Sequence, residues 1–199
     1  GLLHAKTIQY EKASYVGDEW FKRSVLVGDP YPSGISNVFT SQYIENIMIN
    51  HGMTDVVTDY DGSGISNSVN QQFENGVLYY NYRGWYYGDG SYPTGSCCNN
   101  GYQTPFVTTI TCGTGDFDSG NSSSESWVEM GSINNPQGAV ASVGVSTAGT
   151  HTAYNNIVDM GIYDGIFPKD LWYAGAVTSN GHLSILATYP SNPSGATET

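Results

Sequence analysis

Basic residues are scarce in this sequence. Its 199 residues hold six Lys and Arg against 18 Asp and Glu, a formal charge of −12 at pH 7. A nucleic-acid partner calls for the opposite sign, so that class of function is excluded. Long apolar runs are missing too: none approaches the roughly 18 residues that a membrane-spanning helix needs. No basic segment followed by an apolar stretch opens the chain, and Gly1 stands first, so it reads as a mature or excised piece of a longer product. Cysteine is limited to Cys97, Cys98 and Cys112. Without a Cys-x-x-Cys or a paired His motif, a structural zinc site has too few ligands. Cys97 and Cys98 either bond to each other or pair elsewhere, and either arrangement can leave Cys112 as a lone thiol.

What the chain does contain is uncharged polarity. Gly, Ser, Asn, Thr and Tyr dominate, a composition associated with secreted bacterial proteins. The length suits one domain with a sizeable core. Short apolar runs alternate with amphipathic stretches. Strands are expected at Arg23–Asp29, Asp55–Asp59, Val77–Tyr82, Phe106–Cys112 and Gly138–Val145. Helices are expected over Ser41–His51, around Ile65–Phe73, and over Ser124–Met130, Asn155–Phe167 and Leu171–Ser179. Residues 1–22 read as a helical lead-in, 23–188 as the domain, and 189–199 as a Pro/Ser/Gly linker. The alternation predicts an α/β fold with a mainly parallel sheet and helices on both faces. Ligands of such sheets bind beyond the carboxyl ends of the strands, which singles out Arg83–Trp85, Cys112–Gly115 and Ser146–Thr152.

Cys112 is the candidate nucleophile. Gly113 and Gly115 follow it and would let a substrate carbonyl approach backbone N–H groups as an oxyanion site. A helix starting near Ser122 would favour a thiolate through its dipole. The competing reading of Cys112 is a small buried hydrophobe. A thiol nucleophile needs a base. His4 and His182 lie near the chain ends and His51 closes a helix, so only His151 falls on the same rim as Cys112. Arg83 could favour the thiolate, bind a substrate carboxylate, or sit in a structural ion pair. Glu125 could orient backbone or pair with Arg83. Asp59-Tyr-Asp-Gly-Ser-Gly64 opens like a calcium loop, but the twelfth position is Asn70 rather than Glu, and a capped turn is the better reading. Trp85, Tyr86, Tyr87 and Tyr92 occupy a long loop; they could line a peptide or glycan groove or pack the loop onto the sheet.

Several short segments resemble gingipain-type cysteine peptidases, family C25 of the caspase-like clan. They are Tyr10-Glu11, Trp20-Phe-Lys-Arg23, Val25-Leu-Val-Gly-Asp-Pro30, Asn81-Tyr-Arg-Gly84, Pro105-Phe106, Thr111-Cys-Gly-Thr-Gly115, Glu125-Ser-Trp127, Asn135-Pro-Gln-Gly-Ala139 and Gly149-Thr-His-Thr152, in order along most of the chain. The resemblance implies a three-layer caspase-like sandwich and a Cys-His dyad on adjacent strand ends. Cys112 falls at the nucleophile's place or within one position of it. The usual histidine belongs to a Gly-His-Gly turn after the third strand, where this chain has Arg83-Gly84-Trp85-Tyr86. Trp85 takes its place, and an indole cannot accept a thiol's proton. The expected assignment is therefore Cys112 and His151 as catalytic residues, with Gly113, Arg83 and Trp85 around the substrate. The alternative is an inactive module used for extracellular binding or self-assembly. The resemblance also implies an extracellular or cell-surface setting, a peptide or protein substrate, no required cofactor, and calcium as an open question.

Overall fold

The computed structural model describes residues 1–13, 17, 19–61, 65–85, 91, 97–118 and 120–192, with residues 65–69 described by backbone alone. The expected Tyr86, Tyr87 and Tyr92 groove, residues 62–64 of the calcium-like loop and the end of the linker lie outside that set. Five parallel strands form the central sheet: β1 (Arg23–Gly28), β2 (Asp55–Asp59), β3 (Tyr79–Arg83), β4 (Phe106–Thr109) and a later strand, β7 (Ala141–Gly144). Their order is β2-β1-β3-β4-β7. The helices are α1 (Leu2–Glu11), α2 (Ser36–Asn50), α3 (Ile65–Glu74), α4 (Ser123–Glu129), α5 (Thr152–Ile166) and α6 (Ala174–Thr188).

Because strand side chains alternate, the sheet builds two cores. On one face Val25, Val27, Tyr80, Tyr82 and Val107 meet Phe73 of α3 and Trp127 of α4. Phe73 stacks on Trp127 with ring centroids 5.2 Å apart. The bonded pair Cys97–Cys98 is buried in the same cluster. On the other face Leu26, Phe106, Tyr79 and Val143 pack against Ile44 and Met48 of α2, Val158 and Ile162 of α5, and Val177 and Ile185 of α6. Helix, sheet and helix make three layers, the α/β architecture expected from the sequence.

Local chemistry sets the boundaries that periodicity misplaces. The fourth strand stops at Thr109 rather than Cys112, because the Thr114 hydroxyl turns back to donate to the carbonyls of Thr109 and Thr111. The last helix expected from the sequence, Leu171–Ser179, runs instead over Ala174–Thr188. Small residues hide that helix in the sequence, yet they are what let it touch α5. A Cβ on Gly181 would lie 2.8 Å from the Val158 carbonyl, and one on Gly161 would lie 3.0 Å from Gly181 Cα. A two-stranded hairpin, β5 (Gly131–Ser132) with β6 (Asn135–Pro136), is too short to show any period.

Candidate active site

All five strands are parallel, so their carboxyl ends share one rim. β4 lies between β3 and β7. The turn after β4 therefore sits between the Arg83–Trp85 turn and the 145–152 loop. Hydrogen bonds tie the three together. The Thr111 hydroxyl donates to the Gly84 carbonyl at 2.8 Å. Gly113 N–H donates to Thr147 O and Gly115 N–H to Val145 O, both at 2.9 Å. Gly113 has φ of +67°, a conformation that suits glycine. Gly115 and Gly144 approach so closely that a Cβ on Gly115 would lie 2.8 Å from Gly144 backbone.

Cys112 is a free, partly exposed thiol on this turn. Its Sγ lies 3.2 Å from Thr150 Oγ1 and 3.8 Å from the Thr150 carbonyl oxygen. Partial burial works against its ionisation. The Thr150 side chain and the backbone of Gly149, Thr150 and Cys112 itself favour the thiolate and prevail, so the thiol lies below its ordinary value.

His151 lies beside Thr150 in the chain and is exposed, but its ring is turned to another task. It is the N-cap of α5, and its Nδ1 accepts the Ala153 N–H at 3.1 Å. A neutral imidazole that accepts at Nδ1 carries its proton on Nε2. The ring also leans on Tyr154, with centroids 5.4 Å apart. Among the described residues no hydrogen bond joins His151 to Cys112. Trp85 is 42% exposed on the neighbouring turn, and its carbonyl accepts the Tyr82 hydroxyl at 2.9 Å.

Arg83 is 1% exposed, which leaves no room for it to meet a substrate carboxylate as the sequence reading allowed. Its Nε donates to Asn156 Oδ1 at 2.6 Å, its NH2 to Thr152 O at 3.1 Å and its NH1 to Gly84 O at 3.2 Å. The guanidinium thus staples the β3 turn to the first turn of α5. Burial lowers its pKa to about 10, against the opposing charges of Asp159, the Cys112 thiolate and Tyr82. Glu125 is not its partner; it closes a capping box with Ser122 at the start of α4. The expected dipole effect of α4 on the thiol also meets a structural obstacle, since Ser124 N–H donates to Thr114 O and Glu125 N–H to the Ser122 hydroxyl. The Gly113 N–H expected at an oxyanion site is likewise engaged, by Thr147.

The sequence reading passed over a polar stripe on α5. Asn155, Asn156 and Asp159 are buried on a helix that otherwise shows Ile157, Val158 and Ile162 to the core. Asp159 Oδ1 accepts from Asn81 Nδ2 at 2.6 Å, and Asn81 Nδ2 also reaches the Thr108 hydroxyl at 2.9 Å. Burial raises Asp159 to about 7, opposed by the charge of Arg83 and the hydrogen bond from Asn81. Polar residues one and four positions apart inside an apolar helical pattern were the available signal. Among the described residues no cluster of three or more His, Cys, Asp and Glu forms that could hold a metal ion.

A parallel sheet between two helical layers, with a free thiol on its carboxyl rim, defines the class: a three-layer α/β domain of caspase-like architecture. The model for peptidase family C25 matches residues 3–198, and the chain belongs to that family. Three solved structures share its fold. The Arg-specific cysteine proteinase gingipain R (RgpB) is 20% identical, covering 92% of this chain and 46% of that one, with a TM-score of 0.75. A complex of Porphyromonas gingivalis RgpB pro- and mature domains is 19% identical, covering 100% of this chain and 50% of that one, with a TM-score of 0.79. A third, described as a protease, is 19% identical over 96% of this chain and 47% of that one, with a TM-score of 0.75. The chain spans about half the length of these relatives. No curated protein matches it.

Proposed function

We propose that this domain is the nucleophile-bearing part of an extracellular or cell-surface cysteine peptidase that hydrolyses peptide bonds in protein substrates. The observation that carries the reading is Cys112: a free, accessible thiol on the rim whose surroundings favour the thiolate. In the reaction the Cys112 sulfur attacks the scissile carbonyl and forms a carbon–sulfur bond. The tetrahedral adduct collapses, the carbon–nitrogen bond breaks, and the amine leaves with a proton. Water then hydrolyses the thioester and restores the thiol. His151 serves as proton carrier after its Nδ1 leaves the Ala153 N–H. Gly113 serves the oxyanion after its N–H leaves Thr147. Substrate binding must therefore loosen the 145–152 loop. Among the described residues no helix is long and apolar enough to cross a membrane.

A second reading, an inactive relative used for binding or self-association, is favoured by Trp85 at the usual histidine place and by the capping role of His151. Cleavage of a broad peptide library under mild reductant separates the two. Cleavage lost in both Cys112→Ala and His151→Ala fits the peptidase. Absence of cleavage by the wild-type protein, over a range of calcium concentrations, selects the binding module.

A further inference from the structure

One hydroxyl holds the rim thiol, and that hydroxyl is itself held. Thr150 Oγ1 lies 3.2 Å from Cys112 Sγ and 2.9 Å from Asn155 Nδ2. Asn155 is 2% exposed, in the first turn of α5, and its Oδ1 has no hydrogen-bond partner among the described residues. An amide nitrogen only donates, so Thr150 Oγ1 is the acceptor in that contact. A hydroxyl has one proton, and accepting from Asn155 leaves it free for another group. The Cys112 sulfur is in range to receive it.

We propose that Thr150, oriented by Asn155, is a positioning residue for Cys112: its hydroxyl donates to the sulfur, stabilises the thiolate and fixes Sγ on the rim. This rests on Cys112 being the reacting group of the function proposed above. The carbonyl of the same residue completes the device. It lies 3.8 Å from Sγ and can accept from a neutral thiol but not from a thiolate, so each protonation state has its own partner on Thr150. Asn155 is well placed to act as the anchor. Arg83 grips α5 on either side of it, at the Thr152 carbonyl and the Asn156 side chain. The arrangement therefore passes from the strand-end arginine, through the first turn of α5, to the sulfur.

Alkylation of Cys112 by iodoacetamide tests this without requiring turnover, because Cys97 and Cys98 are bonded to each other and Cys112 is the free cysteine. Rates are measured from pH 5 to 10 for the wild-type protein, Thr150→Val, Thr150→Ser and Asn155→Ala. Thr150→Val keeps the shape and loses the hydroxyl. Its inflection is expected about one pH unit higher, with the rate at pH 6 reduced about tenfold, the size of a charge-assisted hydrogen bond. Thr150→Ser restores the wild-type profile, which a purely packing role for the threonine would not do. Asn155→Ala shifts the inflection the same way by a smaller amount. An unchanged inflection in Thr150→Val overturns the proposal. So does a downward one, which would make the thiol the donor. If Thr150→Val does not fold, Thr150→Ala at the same partly exposed loop position gives the same readout. Variants that shift in this way, with a wild-type protein that cleaves no peptide, refute the peptidase reading while upholding the role of Thr150 toward the Cys112 sulfur.

Discussion

Asp159→Asn replaces a fully buried carboxyl by a neutral amide of the same shape. Burial holds the folded-state pKa at about 7, against the ordinary value of 3.8. The unfolded chain therefore releases this proton near pH 4, while the folded chain keeps it until near pH 7. Between those values the folded state binds more protons than the unfolded one, and stability falls as pH rises. The contribution is complete below pH 4 and is lost as pH passes through 7. At about 1.4 kcal/mol per pH unit, the loss amounts to roughly 4 kcal/mol across the window. Other carboxylates add slopes of their own, so the quantity to follow is the difference between wild type and variant. Urea denaturation, followed by the fluorescence of the buried Trp20 and Trp127, gives that difference at each pH. The two proteins are expected to be similar in stability at pH 4, with the variant gaining on the wild type by several kcal/mol at pH 7.5. A difference that stays constant from pH 4 to 7.5 would show that Asp159 ionises at its ordinary value, and the account of the buried cluster would be wrong.

Arg83→Met removes the donor shared by the Thr152 carbonyl and the Asn156 side chain and leaves the Gly84 carbonyl to Thr111 alone; unfolding stability should drop by about 3 kcal/mol, and Cys112 should alkylate more slowly at neutral pH. Ser122→Ala opens the capping box and should cost about 1 kcal/mol in thermal or urea unfolding. Gly161→Ala forces a Cβ against Ser184 and Gly181 at the α5–α6 contact; a loss of about 1–3 kcal/mol is expected, read as a lowered Tm. If His151 carries the proton, Trp85→Ala should leave peptide cleavage within a few-fold of wild type, whereas His151→Ala should abolish it.

The layers were legible because apolar side chains declare them. Val25, Leu26 and Val27 form an unbroken run because β1 is buried on both faces, and Phe73 followed by Gly76 marks the end of α3. The start of α5 was missed by a few residues because its cap is a histidine, an N-cap that sequence rules do not favour over Ser, Thr, Asp or Asn. The extent of α6 was missed because Gly175 and Gly181 look like breakers, although Gly181 lies at the closest approach to α5. At the site, Cys112 and Arg83 could be placed on the rim because each stands at the carboxyl end of an expected strand of a parallel sheet. What Arg83 does could not, since whether a guanidinium faces substrate or protein depends on α5, which lies some 70 residues away in the chain. The same holds for Thr150 and Asn155: their link to the thiol is a tertiary contact that no local pattern encodes.

Intact-mass spectrometry of the protein, acid-quenched during reaction with the peptides it cleaves, tests the central claim most directly. The account predicts an acyl adduct on Cys112 that forms as peptide is cleaved, decays by hydrolysis, and is absent from Cys112→Ala. Cleavage that persists in Cys112→Ala with no adduct on the wild-type thiol would contradict it.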